Sequence, residues 1–592
     1  QEFNLWESDN CVSICAHPNC WITHNRPTFA WCSADNMLGR AAIKTQCCSF
    51  PGMCGSVLLK FGKDGCRMIG MHAAGVAGKT AFSEIITVAS LNKIKERVRE
   101  MYLQPRAQGV IVDVRPAEYP VHIMRKTKIT PSPAHGAFPI KKGPAVLSCF
   151  DQRLDDPNFE ERLFDKYDTD VSEWGTLMPA LDVWYDRAMT ELAWGAGQKF
   201  EPLTLDQALN GIPGLEPIDM SQSVWYPHAG KGLDRSIFAT RGPDGRLVPT
   251  ERLKDELRAF LQKPGKFKFS TFLKDELRPL EKIAAGKTRM VENGPFAALM
   301  MFRMIFGSFY AFCHRNPGTG LGMAVGCDPD VHWTDFAHSF SRFSEVADVD
   351  YKNYDGSIPK CLILALSRRW SFFSTDPYAK VLLEWMAETG RIYGDWEVTV
   401  SGSMPSGMSG TSIFNSIMNN VIILSHLMYD IDFDFMDYTK WSILTYGDDA
   451  LFATEPPASM GEMRDRMKAN GFKITPADKG ENFSTHTIWE VQFLKRTFRP
   501  HPYMRWLTLP VMDPDTLEQS PMWEKDGNIQ ETVRSLEQLA WQHGIAYYTW
   551  WKDTIVSKCL EGGYLPPTFT PWAHLHAVWL RKLGAHIELP VP

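Results

Sequence analysis

The sequence predicts an α+β fold in two unequal parts, and three features support this. Runs such as FKFSTF and ILTYGDDALFAT alternate as strands do, whereas TERLKDELRAFLQK and ETVRSLEQLAWQHG have the spacing of amphipathic helices. Eight of the thirteen cysteines lie before residue 67, which sets the first hundred residues apart from the rest. A length of 592 residues, 44% hydrophobic and 22% charged, suits a globular chain of several domains.

Composition limits the classes of function. A net charge of −6 gives no global signature of nucleic-acid binding, so such a contact requires a local basic patch inside a cleft. The run PFAALMMFRMIFGSFYAFC is long enough for a membrane span, but Arg303, Gly307 and Ser308 interrupt it. We therefore expect a buried helix there and no integral membrane segment.

The cysteine-rich start raises the question of a zinc site. CVSICAHPNC offers Cys11, Cys15, His17 and Cys20, which are suitable ligand types. A Cys-x2-Cys pair is absent, however, and no second well-spaced pair follows. We favour buried free cysteines of a cytosolic protein over a zinc site.

Further along, FPGMCGSVLL places Cys54 between glycines ahead of an apolar strand, and IGMHAAG brings His72 on a second strand. A glycine-flanked cysteine at a tight turn lets backbone N–H groups face a developing oxyanion. This pattern resembles the Gly-x-Cys-Gly nucleophile turn of the chymotrypsin-like cysteine proteases of picorna-like viruses. The resemblance implies that Cys54 is the nucleophile and that His72 lines the pocket for a substrate glutamine.

The same resemblance limits what this part can do. In that family the base histidine and its acid partner lie well upstream of the nucleophile, and neither His17 nor His24 stands in such a motif. We expect residues 1–100 to be the C-terminal part of a protease β-barrel, incomplete and inactive by itself. Residues 101–130 are the expected linker, in which Gln108-Gly109 fits the family's preference for cleavage between Gln and a small residue.

The hexapeptide LKDELR occurs twice, at residues 253–258 and 273–278. The first copy belongs to a predicted helix that has Leu253, Leu257, Phe260 and Leu261 on one face. The second copy follows a strand and precedes PLEKIAAGKTRMVENGP, where proline and glycines break any helix. On that strand and loop lie Lys274, Arg278, Lys282, Lys287 and Arg289. This row of cations suits a polyphosphate, with a solvated charge run as the alternative.

Two acidic motifs carry the strongest chemical signal. ILTYGDDALFAT places Asp448 and Asp449 at a hairpin turn, where adjacent carboxylates repel each other unless a cation neutralises them. EVADVDYKNYDGS ends another apolar strand at Asp350 and continues to Asp355, while Asp348 is a secondary candidate on the same face as Asp350. If the strands are neighbours, Asp350 and Asp448 can hold two divalent cations about 3.5–4 Å apart for phosphoryl transfer, and Mg²⁺ is the natural ion.

Between the acidic motifs, SGSMPSGMSGTSIFNSIMNNVIILSHLM is a glycine-serine loop that continues into an apolar helix. Its small residues permit close approach of a backbone, and Ser406, Thr411 and Asn415 can hydrogen-bond a sugar hydroxyl or another polar group. The order and content of these motifs resemble the RNA-dependent RNA polymerases of picorna-like viruses. The resemblance covers nearly the whole chain after Gly109.

This resemblance implies a role for each motif. KDELRPLEKIAAGKTR is similar to motif F, DYKNYD to motif A, PSGMSGTSIFNS to motif B and YGDD to motif C. The implied nucleotide-binding residues are Lys274, Arg278, Lys287, Asp355, Ser406, Gly407, Thr411 and Asn415, of which Asp355 senses the ribose 2′-hydroxyl. The implied catalytic residues are Asp350, Asp448, Asp449, Lys479 and Arg289. The three aspartates are also the implied ligands of Mg²⁺, with Mn²⁺ as an alternative.

Weaker motifs add further residues. TPADKGENF is similar to motif D, which makes Lys479 the candidate general acid for the leaving pyrophosphate. FLKR is similar to motif E, which implies that Lys495 and Arg496 grip the primer strand. SVWYPHAGKGLDR is similar to motif G at the template entrance and supplies Ser223 and Lys231 as RNA-binding candidates. Trp225 stands there where the family often has glycine, which weakens that match.

The implied architecture is a right-hand polymerase behind the partial protease barrel. Fingers and palm occupy residues 131–499, with an antiparallel palm sheet, and the thumb occupies residues 500–592. Five tryptophans in this last part are expected in the core rather than as RNA platforms: Trp506, Trp523, Trp541, Trp550 and Trp551.

The resemblance also implies partners and a location. RNA template and primer, NTPs and other viral replication proteins are the implied partners, and relatives also use a small protein primer. Replication in the host cytoplasm, at membrane-associated complexes, is implied. KTKITPSPAH and AVLSCFDQR favour a dicistrovirus or iflavirus type. Two alternatives stay open: a precursor whose polymerase is latent until release at Gln108-Gly109, and an N-terminal part that only docks RNA or replication proteins.

Overall fold

The computed structural model describes residues 10–14, 21–32, 40–46, 56–62, 65–76, 79–89, 92, 110–155, 159–167, 171–191, 199–228, 233–429, 434–476, 486–525 and 527–586. The chain divides into two compact units, Gln1–Gln104 and Pro105–Pro592, called here the N-terminal and the C-terminal unit. Several predicted features lie outside the described residues, namely Cys54, Gln108-Gly109, Lys231, Lys479 and the side chains of the zinc candidates Cys11, Cys15, His17 and Cys20.

Antiparallel strands make up the N-terminal unit. They are β1 (Asn10–Ile14), β2 (Trp21–Cys32), β3 (Arg40–Gln46), β4 (Val57–Gly62), β5 (Gly65–Val76) and β6 (Thr80–Ile85). They close into a barrel in the order β1-β2-β3-β6-β5-β4, because β1 pairs with both β2 and β4. Ile43, Leu58 and Ile69 form its buried core among the described side chains. A β-barrel is therefore present where the sequence predicts one, and its identity as a protease stays a prediction.

The strands of the C-terminal unit are short. Those described are β7 (Ile111–Pro116), β8 (Thr130–Pro131), β9 (Lys142–Pro144), β10 (Ala239–Arg241), β11 (Leu247–Pro249), β12 (Phe269–Leu273), β13 (Leu277–Pro279), β14 (Met290–Asn293), β15 (Ala347–Tyr351), β16 (Glu388–Tyr393), β17 (Trp396–Ser401), β18 (Trp441–Tyr446), β19 (Asp449–Thr454), β20 (Ile474–Pro476), β21 (Gln492–Phe493), β22 (Arg496–Pro500), β23 (Thr508–Met512) and β24 (Trp523–Glu524).

Three sheets organise these strands around the site. One has the order β14-β12-β16-β17-β7, a second has β18-β19-β15-β20, and a third has β21-β22-β23. Strand β7 lies in the segment predicted as a linker. It pairs with β17 at the edge of the first sheet, because burying Ile111 there adds apolar contacts that a free linker would lack.

The α-helices of the C-terminal unit fill the space between the sheets. Those described are Phe159–Arg162, Leu177–Glu191, Leu205–Asn210, Glu251–Gln262, Leu280–Ala284, Phe296–Arg315, Pro329–Ser341, Tyr354–Ser357, Lys360–Arg368, Tyr378–Met386, Thr411–Leu427, Met460–Ala469, Pro514–Gln519, Ile529–Ala540, Ile545–Glu561 and Trp572–His586. The helices Phe296–Arg315 and Thr411–Leu427 are almost wholly buried in the largest core.

The helix Phe296–Arg315 is the segment predicted as a buried helix rather than a membrane span. Among the described residues it is the one helix long and apolar enough to cross a membrane, and 83% of its most apolar window is buried inside the protein. Arg303 donates hydrogen bonds to the carbonyl oxygens of Ala208 and Glu216, which compensates the burial of its guanidinium group. A core helix explains this segment.

The two copies of LKDELR adopt different structures, as their flanks predict. The first lies in the helix Glu251–Gln262. Thr250 caps the start of this helix, because its side chain accepts a hydrogen bond from the Leu253 amide. Leu253, Leu257 and Phe260 are buried, and Leu261, at the margin of the same face, is 47% exposed. The second copy spans the end of β12 and the start of β13, and a short helix, Leu280–Ala284, follows where none was expected.

The last part of the chain is a helical layer over β22 and β23. The helices Ile529–Ala540, Ile545–Glu561 and Trp572–His586 share a core that includes Trp541, Trp551 and Trp579. Trp541 and Trp551 are buried as predicted. Trp506 is 73% exposed and Trp550 is 48% exposed, so the prediction of core positions was wrong for them.

Candidate active site

The structure brings the two acidic motifs together on the sheet β18-β19-β15-β20. Strands β15 and β19 are antiparallel neighbours, and the pair Val349–Ala450 places Asp350 beside Asp449 one step further along. Strands β18 and β19 form a hairpin whose two-residue turn holds Asp448 next to a glycine with φ of +63°. The three carboxylates therefore cluster where β15 ends and the hairpin turns.

The electrostatics of this cluster favour a bound cation. Burial, together with repulsion from Asp350, raises the pKa of Asp448, which lies at the tip of the hairpin. Burial and repulsion from Asp448 and Asp350 raise the pKa of Asp449 to about 7, although Lys495 opposes this shift. Carboxylates that repel each other in this way lose their protons readily when a divalent cation binds between them.

The carboxylates of Asp350 and Asp448 are suitable ligands for Mg²⁺. Mg²⁺ is usually bound by one or two carboxylates together with water and substrate phosphates rather than by an all-protein cage. Asp350, near the end of β15, and Asp448, in the adjacent hairpin turn, supply two such carboxylates.

A cluster of cations lies within electrostatic reach of these carboxylates. Strands β12 and β14 are antiparallel, so the Lys274 amide donates to the carbonyl oxygen of Arg289 at 2.8 Å. Arg289 donates from Nε to Oε1 of Glu276 at 2.5 Å and makes a second hydrogen bond to the same carboxylate. That bond, with attraction from Asp448 and Asp355, raises the pKa of Arg289. The strand pairing thus places Arg289 near the acidic cluster.

The Glu276 carboxylate also lies close to the other cations of the second LKDELR copy. Lys274 Nζ lies 3.3 Å from Oε2 of this carboxylate, and Arg278 Nη1 lies 3.9 Å from Oε1. Arg278 also donates to the carbonyl oxygen of Lys287, whose own side chain is exposed. Glu276 was not among the predicted site residues, although it stands inside the motif.

A second polar pair sits beside the acidic cluster. Asn415, on the helix Thr411–Leu427, donates from Nδ2 to Oδ1 of Asp355 at 2.8 Å. Burial and repulsion from Glu292 and Asp448 raise the pKa of Asp355 to about 6. The Oδ1 atom of Asn415 is buried without a hydrogen-bond partner, and the residue is only 4% exposed. An unsatisfied acceptor of this kind needs a donor, such as a sugar hydroxyl.

The loop before this helix holds the remaining predicted contacts. Ser406 hydrogen-bonds Glu292 rather than facing open space. Thr411 donates its hydroxyl to the carbonyl oxygen of Met408 at 2.5 Å, so that group shapes the loop. A Cβ atom on Gly407 would lie 2.0 Å from the carbonyl oxygen of Glu292, so a glycine is required there.

The helix Thr411–Leu427 also fixes the acidic hairpin. Ser416 Oγ accepts from the Gly447 amide at 2.9 Å, and Asn419 Nδ2 donates to the carbonyl oxygen of Gly447 at 2.9 Å. Asn420 donates to the Thr445 hydroxyl at 3.0 Å. These three residues were not among the predicted site residues. Their signal was the run NSIMNN, polar residues at one helical face inside an otherwise apolar helix.

The residues of the weaker motifs lie further out. Lys495 is exposed in the β21–β22 turn, close enough to lower the pKa of Asp449. Arg496 is half-buried and donates to the carbonyl oxygen of Leu494, and burial lowers its pKa. Ser223 is exposed and accepts a hydrogen bond from the Trp225 amide. Trp225 has φ of +67°, a conformation that favours glycine.

Comparison with known proteins agrees with this geometry. The profile of the family described as viral RNA-dependent RNA polymerase matches residues 134–560. The chain is 36% identical over 549 residues to the genome polyprotein of Human klassevirus 1 and 34% identical over 554 residues to that of Cosavirus A, covering 90% and 91% of this chain. It spans only 22% and 24% of the length of those polyproteins.

A solved structure supports the same assignment. The Sicinivirus 3Dpol RNA dependent RNA polymerase superposes with a TM-score of 0.74 and 36% sequence identity, covering 81% of this chain and all of that one. The narrower resemblance to dicistroviruses or iflaviruses stays a prediction. With its acidic hairpin, its cation cluster and these relatives, the chain belongs to the viral RNA-dependent RNA polymerases of picorna-like viruses.

Proposed function

We propose that this polymerase extends an RNA primer on an RNA template by two-metal nucleotidyl transfer from NTPs. The 3′-oxygen of the primer bonds to the α-phosphorus, and the bond from that phosphorus to pyrophosphate breaks. The convergence of Asp350, Asp448 and Asp449 with Arg289 carries this proposal, because an acidic cluster facing a cationic one suits a metal-bound triphosphate.

Each partner of the reaction has a set of residues. Asp350 and Asp448, with Asp449 in support, would hold Mg²⁺ or Mn²⁺, which when bound neutralises phosphate charge and lowers the pKa of the primer 3′-hydroxyl. Arg289, with the other cations around Glu276, orients the triphosphate through charge-assisted hydrogen bonds.

The ribose of the incoming nucleotide is recognised next to the reacting phosphate. A ribose 2′-hydroxyl placed beside the hydrogen-bonded pair Asp355 and Asn415 can donate to the unpaired Oδ1 atom of Asn415. A deoxyribose leaves that acceptor unsatisfied, which costs binding free energy. Lys479, outside the described residues, remains the predicted acid for pyrophosphate, and Lys495 the predicted primer contact.

Primer extension on a defined RNA template tests the proposal. Asp448→Ala should reduce the extension rate by about a thousandfold or more, because the cation that neutralises the phosphate charge loses its principal protein ligand. Asp395→Ala is the matched control, since Tyr393, Gly394 and Asp395 make the same Tyr-Gly-Asp turn between β16 and β17 without neighbouring acidic motifs. Equal loss in both variants, or activity in Asp448→Ala, would contradict the proposal.

For the N-terminal unit we propose a part of a cysteine protease barrel, in which these residues by themselves do not cleave peptides. His72 lies on β5, is 5% exposed and has a buried Nδ1 atom without a partner. Burial lowers the pKa of His72, so its imidazole is neutral and can hydrogen-bond the side-chain amide of a substrate glutamine. A peptide with a Gln-Gly bond should stay uncut by the chain. Binding of RNA by residues 1–108 alone would favour the docking alternative instead.

The cellular setting follows from the family. We propose that the chain acts in the host cytoplasm with the other products of its polyprotein, at membrane-associated replication complexes. A small protein primer and processing at Gln108-Gly109 belong to the same proposal. The polyprotein relatives support it, because this chain matches only a part of them.

A further inference from the structure

Glu292 is a buried carboxylate that the proposed chemistry does not use. It lies on β14, three residues after Arg289, and is only 1% exposed. Burial opposes its ionisation, yet attraction to Lys166 and Arg391 lowers its pKa to about 2. A charged group held so far from solvent needs several strong partners.

The two oxygen atoms of Glu292 have separate partners. Oε1 accepts from Lys166 Nζ at 2.6 Å, from the Tyr167 hydroxyl at 2.7 Å and from Arg391 Nη1 at 3.2 Å. Oε2 accepts from the Ser406 hydroxyl at 2.9 Å and from the Ser406 amide at 3.3 Å. One oxygen is therefore anchored to the surrounding scaffold, and the other holds the glycine-serine loop.

Backbone contacts complete the attachment of this loop to β14. The Glu292 amide donates to Ser406 Oγ at 3.0 Å, so each residue both donates to and accepts from the other. Asn293 and Gly407 form a parallel bridge directly beside this pair. The loop can lie this close only because Gly407 has no side chain.

The same loop leads to the pair that faces the ribose. The Met404 amide donates to the carbonyl oxygen of Asp355 at 2.9 Å, and Asn415 lies on the helix that the loop enters. Lys166 is also tied to this region, because its carbonyl oxygen accepts from Asn353 at 2.7 Å. Movement of the loop relative to β14 would therefore shift Asp355 and Asn415 relative to Arg289.

We infer that Glu292 is a positioning residue for ribonucleotide selection: its carboxylate fixes the loop around Ser406 so that Asp355 and Asn415 meet the 2′-hydroxyl of a nucleotide whose triphosphate Arg289 holds. This inference rests on the proposed polymerase function. It assigns Glu292 no contact with substrate.

A matched pair of variants tests this role. Glu397 lies on β17 of the same sheet and also faces two cations, Arg115 at 2.5 Å and Lys268 at 2.9 Å, without touching the loop. Single-nucleotide addition with ATP and with 2′-deoxy-ATP gives kcat/KM for each sugar. Glu292→Gln should lower the ATP preference about tenfold, because the ribose acceptor loses its position. Glu397→Gln should keep the wild-type preference.

Each further outcome decides the inference. A wild-type preference in Glu292→Gln overturns it, provided the wild type extends primers. If Glu292→Gln does not fold, Ser406→Ala, which removes the hydroxyl that bonds the Glu292 carboxylate, should lower the preference by a similar factor, and an unchanged preference overturns the inference. In a double-mutant cycle the two substitutions should not add. A wild type that extends no primer refutes the proposed function and this inference with it.

Discussion

Glu256 and Glu276 occupy the same place in the two LKDELR copies, and their surroundings give them different roles. Glu256, half-buried on the helix Glu251–Gln262, pairs with His228 at 3.0 Å. Glu276 is inside a group of three cations, and its side chain is 16% exposed whereas that of Arg289 is 56% exposed. The exposed side of the cations stays available to a triphosphate. Glu276 therefore orients them without blocking them.

Substitution of Glu276 tests this at the residue scale. We expect Glu276→Gln to raise the KM for NTPs by about three- to tenfold, with a smaller change in kcat, because Arg289 loses its bidentate partner and its orientation. Glu256→Gln, the same change in the first copy, should leave KM unchanged. Steady-state extension kinetics at two salt concentrations measure both. A lower KM in Glu276→Gln would show that the carboxylate competes with the triphosphate instead.

At the element scale, the helix Thr411–Leu427 joins the sugar site to the acidic hairpin. Its start carries Asn415, and its middle carries Ser416 and Asn419 against the Gly447 turn. Its end carries His426, fully buried, whose Nδ1–H donates to the carbonyl oxygen of Ile422 at 2.6 Å. One helix thus fixes the sugar site and the acidic hairpin at once.

The burial of His426 predicts a pH dependence of stability. Desolvation lowers its pKa to about 4, below the value of 6.5 in an unfolded chain. Its stabilising contribution is therefore complete above pH 6.5 and is lost as the pH falls toward 4, by about 2 kcal/mol at pH 5. The stability difference between wild type and His426→Gln in thermal unfolding should be largest at pH 7 and should narrow by about 2 kcal/mol at pH 5.

A control separates this effect from general acid sensitivity. His338 is exposed on the helix Pro329–Ser341, and His338→Gln should unfold like the wild type at every pH. A difference between wild type and His426→Gln that stays constant from pH 7 to pH 5 would contradict the prediction. Asn470, which donates to His426 Nε2 at 2.9 Å, keeps the neutral ring in place at high pH.

What the sequence could predict depended on how local each signal was. The helix Glu251–Gln262, the acidic hairpin and the cations around Arg289 each carry their signal within a few neighbouring residues. Glu292 carries none, because its partners Lys166, Arg391 and Ser406 are about a hundred residues away in sequence and only the folded sheet brings them together. The prediction that Trp506 is buried failed for the same reason. Hydrophobic character alone does not determine which aromatic side chains become covered by a helix in the folded protein.

At the scale of the whole molecule, the chain is two units whose division falls near residue 105. The segment predicted as a linker is not uniform, because strand β7 within it belongs to the sheet of the C-terminal unit. Val110 and Ile111 are 4% and 3% exposed in a core that also includes Val398 and Val400. A polymerase released at Gln108-Gly109 would keep this strand.

The position of β7 leads to a prediction about where the polymerase can be shortened. Residues 109–592 should unfold at the same temperature as the C-terminal unit of the full chain and extend primers. Residues 117–592, which lack β7, should lose about 3–6 kcal/mol of stability, because two buried aliphatic side chains contribute roughly 1.5–3 kcal/mol each. Calorimetry and primer extension of both chains measure this. Equal stability would show that β7 is a dispensable edge strand, and activity confined to 109–592, absent from the full chain, would show that the N-terminal unit keeps the polymerase latent.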